Sequence, residues 1–211
     1  MIKDKNKTLV ISPHPDDGIL GCGATIMRLT GEQTSVYYAV FSITDFEASP
    51  HSALTENSAM FAKSLLELGI PQQQISLFNF TTRNFYKYRQ EILELLISLR
   101  QLIQPQQVFM PSSTSIHQDH CVVYEEGLRA FKHITCYGYD LPWDAINFET
   151  SCFFKVEETH INQKIKALQF MNQSSTNKYA NDSFIGGLAR VRGTQINTDF
   201  AEAFEVLRTV M

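Results

Sequence analysis

Cysteine is scarce in this 211-residue chain: there are four, and no two of them form a Cys-x-x-Cys pair. Cys22, Cys121, Cys136 and Cys152 therefore read as small buried hydrophobes of a reducing compartment, not as a disulfide framework or thiolate cluster. Cys121 adjoins a histidine, but on a helix the neighbouring side chain faces away, so it too is assigned to the core. There is no excess of basic charge either. Lys and Arg total 18 against 22 Asp and Glu, a net charge of -4, so the electrostatic footprint of a nucleic-acid or anionic-membrane binder is missing. No apolar run approaches the roughly 20 residues of a membrane span. The opening Met1 to Lys7 leads into a short apolar stretch without the core and cleavage site of a signal peptide, which makes the cytoplasm the expected location. No repeat, low-complexity linker or compositional break divides the chain, so a single domain over residues 1–211 is expected, and 44% hydrophobic residues suffice for its core.

What is present alternates between strand and helix patterns, the signature of a parallel sheet with crossovers: an α/β, three-layer, Rossmann-like fold with helices on both faces. Thr8 to Ile11 reads as a buried strand and Ile19 to Thr30 as a helix ended by Gly31. A strand over Thr34 to Ser42, a helix over Ala53 to Leu68 closed by Gly69, and a strand within Gln74 to Phe80 follow. Phe85, Tyr88, Ile92, Leu95, Leu96, Leu99 and Ile103 recur at three- and four-residue steps, predicting a helix from Asn84 to Gln104. Further strands are expected at Val108 to Met110, Cys136 to Tyr139 and Cys152 to Val156. Helices are expected at Gln118 to Lys132 and Glu157 to Met171, with Gln173 to Asp182 as a polar loop.

Two clusters carry chemistry. Ser12-Pro13-His14-Pro15-Asp16-Asp17 follows the first strand directly, and the two prolines end the ladder and stiffen the turn. His117-Gln118-Asp119-His120 follows the strand that ends at Pro111. Each lies past the C-terminal end of a predicted parallel strand, the edge where open α/β sheets bind ligands, so the two can meet across about a hundred residues of sequence. Asp16 and Asp17 could alternatively serve only as helix caps. Imidazole plus carboxylate suits Zn²⁺. Two His and one Asp leave a coordination position for water and an adjacent Asp and a second His as acid/base partners. Neighbours in a tight turn diverge, so one of Asp16 and Asp17 is expected to bind while the other faces the water.

These residues resemble the PIG-L/LmbE-like zinc-dependent N-acetylglucosaminyl deacetylases, which carry His-Pro-Asp-Asp after the first strand and His-x-x-His after a later one. Leu20-Gly21-Cys22-Gly23-Ala24-Thr25-Ile26 is similar to that family's glycine-containing first helix, and Arg190-Val191-Arg192-Gly193 with Ala201-Glu202-Ala203-Phe204 to its closing segment. The resemblance implies one zinc held by His14, Asp17 and His120, Asp16 as general base, and His117, as an imidazolium, stabilising the oxyanion. Either Asp16 or His117 would return the proton to the leaving amine. It implies hydrolysis of an N-acetyl amino sugar or its conjugate. One departure stands out: the family commonly continues with Glu where this chain has Gly18, removing a partner that would orient the ligands.

Gly18, Gly21 and Gly23 also open a helix after a strand, but their G-x-x-G-x-G spacing and the acidic pair beside them do not suit a dinucleotide pyrophosphate. A metal phosphoesterase and a metal-binding, non-catalytic sugar-binding relative remain the alternatives. Arg83, Arg190 and Arg192 are candidates for holding hydroxyls or phosphate, Trp143 and Tyr139 for stacking on a sugar face, and Asp45 and His51 for a lid. The sequence does not fix an oligomeric state.

Overall fold

The computed structural model describes residues 6–43, 53–171 and 178–211. Five parallel strands form the frame: β1 (Lys7–Ser12), β2 (Ser35–Val40), β3 (Ile75–Leu77), β4 (Gln107–Pro111) and β5 (Thr135–Tyr139). Two more complete a seven-stranded sheet, β6 (Cys152–Val156) and β7 (Phe200–Arg208), in the order β3-β2-β1-β4-β5-β7-β6. β7 runs antiparallel to both β5 and β6, so the mostly parallel sheet carries an antiparallel margin. β1 sits mid-sheet with β2 on one side and β4 on the other. Its residues Leu9, Val10 and Ile11 are fully buried because both faces of the sheet are covered.

One face carries α1 (Asp17–Gly31), α2 (Ala53–Glu67), α5 (Glu158–Met171) and α6 (Asp182–Gln195); the other carries α3 (Arg89–Ile103) and α4 (Gln118–Ala130). Val10, Ile19, Tyr38 and Phe204 anchor the first core, and Leu9, Phe41, Leu96 and Val123 the second. The expected three-layer α/β architecture is therefore the observed one. Chain order reverses at β1, whose neighbours lead to β2 on one side and to β4 on the other, which makes the C-terminal ends of β1 and β4 the switch point of the sheet.

The sequence reading needs correction in several places. The helix expected from Asn84 begins as a 3₁₀ turn over Phe85–Tyr88 and becomes α-helical only at Arg89. It closes with Gln104 in the left-handed region, a C-cap that a non-glycine residue supplies here. Of the polar loop expected at Gln173 to Asp182, the described residues form a 3₁₀ turn at Lys178–Ala180, and Asp182 already belongs to α6, capped by Asn181 accepting from the Phe184 N–H. α6 and β7 have no counterpart among the elements expected from the sequence. Asp45 and His51 lie outside the described residues.

Candidate functional site

The loop after β1 delivers the first cluster because Ser12 ties the turn together. Its hydroxyl donates to the His14 carbonyl and accepts from the Gly18 N–H at 2.9 Å. The turn then enters α1 with the Asp16 side chain making no capping hydrogen bond, so the simple helix-cap role is not the one adopted. The Asp17 carboxylate folds back instead, accepting from the His14 N–H at 2.9 Å. The loop after β4 delivers the second cluster, and the two meet. His14 Nδ1 and His120 Nε2 each lie 3.1 Å from Asp17 Oδ2 and 3.4 Å from one another. A tetrahedral ion with ligands at about 2.0–2.1 Å requires donor separations of about 3.3–3.4 Å, so this triangle fits a single Zn²⁺-sized cation. His117 brings a nitrogen within 4.8 Å of those of His14 and His120.

The far nitrogen of each of these two imidazoles meets a carboxylate. His14 Nε2 is 3.1 Å from Asp119 Oδ2, and His120 Nδ1 is 3.1 Å from Asp144 Oδ2 and from the Ser115 hydroxyl. Such partners fix the tautomer and leave Nδ1 of His14 and Nε2 of His120 facing the shared point. Sequence reasoning missed both roles. Asp119, fully buried, also accepts from the Arg83 and Phe85 N–H groups, which pins the 83–85 segment against the site. Asp144 stands in a loop tied to the second cluster by the Ser115↔Ala145 bridge and by the Ile116 N–H donating to the Asp144 carbonyl. Asp119 was at least visible inside the second motif; Asp144 had no local signal.

Charge follows from this crowding. Burial and the neighbouring Asp17 push the Asp16 carboxyl up to about 6. Burial opposes ionisation of Asp17 as well, but His120 and His14 outweigh it and hold its carboxyl well below the usual range. Burial would depress His14, yet its hydrogen bonds to Asp119 and Asp17 and their charge lift it to about 10 in the metal-free protein. His117 moves the other way: burial, His120 and His14 push it below its ordinary value. This direction disfavours the imidazolium expected at 117. The His117 Nδ1 accepts from the Asp119 N–H at 3.2 Å, which leaves Nε2 as the protonated nitrogen.

A cleft of about 420 Å³ opens over these groups, within the range of small-molecule sites. His14, Asp16, Asp17, His117, His120, Arg83 and Trp143 all line it, so the structure brings these predicted residues together. Trp143 stacks on Tyr179 with ring centroids 4.2 Å apart. Arg192 and Arg190 are not brought in. Arg192 stands behind Trp143, paired with Asp140 at 2.7 Å in a smaller apolar recess. Arg190 is exposed and lies over the Phe200 ring. Tyr139 is no stacking platform, since it is 1% exposed and its hydroxyl donates to the Ile11 carbonyl. The Cys121 thiol donates to the Ser115 carbonyl, and burial raises its pKa, as a non-ligand cysteine requires.

The Gly18 departure has a steric cause. A Cβ at position 18 would stand 2.5 Å from the Tyr38 hydroxyl and 2.9 Å from Val10 Cγ1. Tyr38, fully buried on β2, occupies that space and lies within hydrogen-bond reach of the Ser12 hydroxyl and the Pro15 carbonyl, bracing the same turn from below. Gly18→Ala is therefore expected to destabilise by about 1–3 kcal/mol through overpacking, and Gly18→Ala with Tyr38→Phe to recover part of the loss. Equilibrium denaturation of the single and double variants checks this. Equal stability of Gly18→Ala and the unmodified protein would overturn the steric account.

An α/β domain with a His/Asp triangle at its switch point, beside an open cleft, defines the class. Residues 9–131 match the PIG-L family, described as GlcNAc-PI de-N-acetylase, and the chain belongs to that family. The uncharacterized deacetylase YaiS of Escherichia coli is 26% identical over 170 residues, covering 76% of this chain and 88% of that protein. Among solved structures, the N,N'-diacetylchitobiose deacetylase from Pyrococcus horikoshii, complexed with an inhibitor, superposes with a TM-score of 0.77 at 19% identity, covering 97% of this chain and 85% of that one. The 4-carboxy-2-hydroxymuconate hydratase GalB from a Pseudomonas also reaches 0.77, at 15% identity and 98% coverage of both chains. At these identities the likeness is one of fold alone, and the GalB match means that reaction type has to be argued from the site. Among the described residues no helix is long and apolar enough to cross a membrane.

Proposed function

We propose that the chain is a zinc-dependent hydrolase that removes the N-acetyl group of an amino sugar or sugar conjugate. The observation carrying this reading is the triangle of His14 Nδ1, Asp17 Oδ2 and His120 Nε2, 3.1–3.4 Å on a side, with Asp16 and His117 flanking it in one cleft. Those three groups would hold the metal, which when bound supplies Lewis acidity toward the amide carbonyl and lowers the pKa of water. Asp16, with a carboxyl shifted toward neutrality, takes the proton of the attacking water. His117 donates from Nε2–H to the developing oxyanion as a neutral ring, and this needs no positive charge. As the C–N bond breaks, the proton that Asp16 took from the water passes to the amine, while the neutral His117 keeps its Nε2–H. Arg83 at the cleft wall suits hydroxyl or phosphate contacts and Trp143 the face of a sugar ring, in keeping with the sugar substrate in the name of the Pyrococcus relative. The absence of a basic surplus argues against a nucleic-acid partner.

The test joins metal analysis of the purified protein to a screen for free-amine release across N-acetyl amino sugars. About one equivalent of zinc and metal-dependent amine release are expected. Two equivalents with phosphoester turnover would replace this reading with the phosphoesterase. Sugar binding without amine release under any metal would replace it with the non-catalytic relative.

A further inference from the structure

α1 is not one continuous helix. Cys22 has φ -144° and ψ 22°, so a first turn carrying Asp17 is joined at an angle to the body of the helix. Such a break leaves backbone groups without their usual partners: Leu20 O and Ala24 N are an i, i+4 pair in an unbroken helix. Here a buried ion pair stands between them. Lys164 Nζ, from α5, donates to Leu20 O at 2.6 Å and to Glu202 Oε1 at 2.7 Å. Glu202, from β7, accepts from Ala24 N at 3.2 Å and, through its other oxygen, from Thr25 N at 2.7 Å. Both side chains are about 95% buried. Leu20 is also the residue whose N–H donates to the Asp16 carbonyl at 2.8 Å. A path of two hydrogen bonds therefore joins the ion pair to the turn that presents Asp16 and Asp17.

We propose that the Lys164–Glu202 pair is a positioning device for the site. By substituting for the lost helical bonds it holds the break at Cys22 open and sets the tilt of the first turn, and so the place of Asp17 relative to His14 and His120. Replacement by apolar residues of similar size is often tolerated or stabilising at such positions, which makes the functional effect separable from folding. The inference rests on the proposed metal set, but its structural consequence does not: with the wedge removed, Ala24 N returns to Leu20 O and Cys22 becomes helical.

The experiment uses the full chain carrying Lys164→Met with Glu202→Leu, which removes both charges together, and separately Glu202→Asp, which keeps both charges and shortens the reach. Zinc affinity of the metal-free proteins is measured by chelator competition, and a crystal structure of a folded variant reads the Cys22 backbone. A fall in zinc affinity of about 10–100-fold is expected with the circular dichroism spectrum unchanged. A straightened α1 and a lowered kcat at similar KM are expected with it. If the double variant does not fold, Glu202→Asp decides by the same readings. Unchanged zinc affinity with Cys22 still non-helical would overturn the proposal. Failure of the unmodified protein to bind zinc would overturn the metal reading alone, and the Cys22 geometry would still decide this one.

Discussion

Asp16→Asn is expected to lower turnover by about 10²–10⁴-fold while leaving the fold and the metal content intact. Asparagine nearly matches aspartate in shape, and Asp16 is not part of the His14–Asp17–His120 triangle, so neither packing nor the cation set should change. What disappears is a carboxylate poised near working pH. Burial and the charge of Asp17 bring Asp16 to about 6 in the metal-free protein, and a dication beside it shifts that value downward. The base acts only when deprotonated, so kcat/KM should fall as pH drops through about 6 or somewhat below, and Asp16→Asn should erase that acidic limb. His117 adds no alkaline limb of its own, because its pKa lies below the ordinary histidine value. A variant that retains its rate, or an acidic limb that survives Asp16→Asn, would assign the proton transfer to another group.

The second large effect is on metal binding. In the metal-free protein His14 sits between Asp17 and Asp119 as an imidazolium, lifted to about 10. A cation must displace the Nδ1 proton while Nε2–H stays on Asp119, so binding near neutral pH should release about one proton. Apparent affinity should then rise about tenfold per pH unit between about pH 7 and 9, because one proton competes with one ion. Calorimetry in buffers of different ionisation enthalpy measures the proton, and chelator competition measures the slope. The same group affects stability. A folded pKa above the unfolded value of 6.5 contributes stability that is fully present below about pH 6.5 and lost as pH rises through about 10. Metal-free protein should accordingly melt lower at pH 9 than at pH 7. Proton-free binding would mean His14 is already neutral, and the two carboxylates flanking it would need another explanation.

Much of the site was legible because its residues interrupt apolar strands. Pro13 and Pro15 cannot donate to the β1 ladder, and Pro111 ends β4, so the two His/Asp turns declare themselves at strand ends without any knowledge of the sheet. The residues that orient them were less accessible. Asp144 reaches His120 across a loop with no periodicity, and Tyr38 sits inside an apolar strand where nothing distinguishes it from core. α6 and β7 escaped for a related reason. Asp182–Gln195 carries Gly186, Gly187 and Gly193, which weaken a helical reading, and the buried first half of β7 includes Glu202, whose partners lie far away in sequence. A charged residue inside a strand pattern reads as exposed unless its counter-ion on another element is known.

That distant partnership has a consequence for how the protein is made. Glu202 holds Ala24 and Thr25 across 178 and 177 residues of chain, and β7 is inserted between β5 and β6 instead of being added at an edge. The ribosome therefore finishes the His14–Asp17 turn long before it makes the strand that carries Glu202. Contacts of such separation form late, after a long loop has been closed. The hydrogen bonds that Glu202 accepts from Ala24 and Thr25 can therefore form only after the last strand has been made.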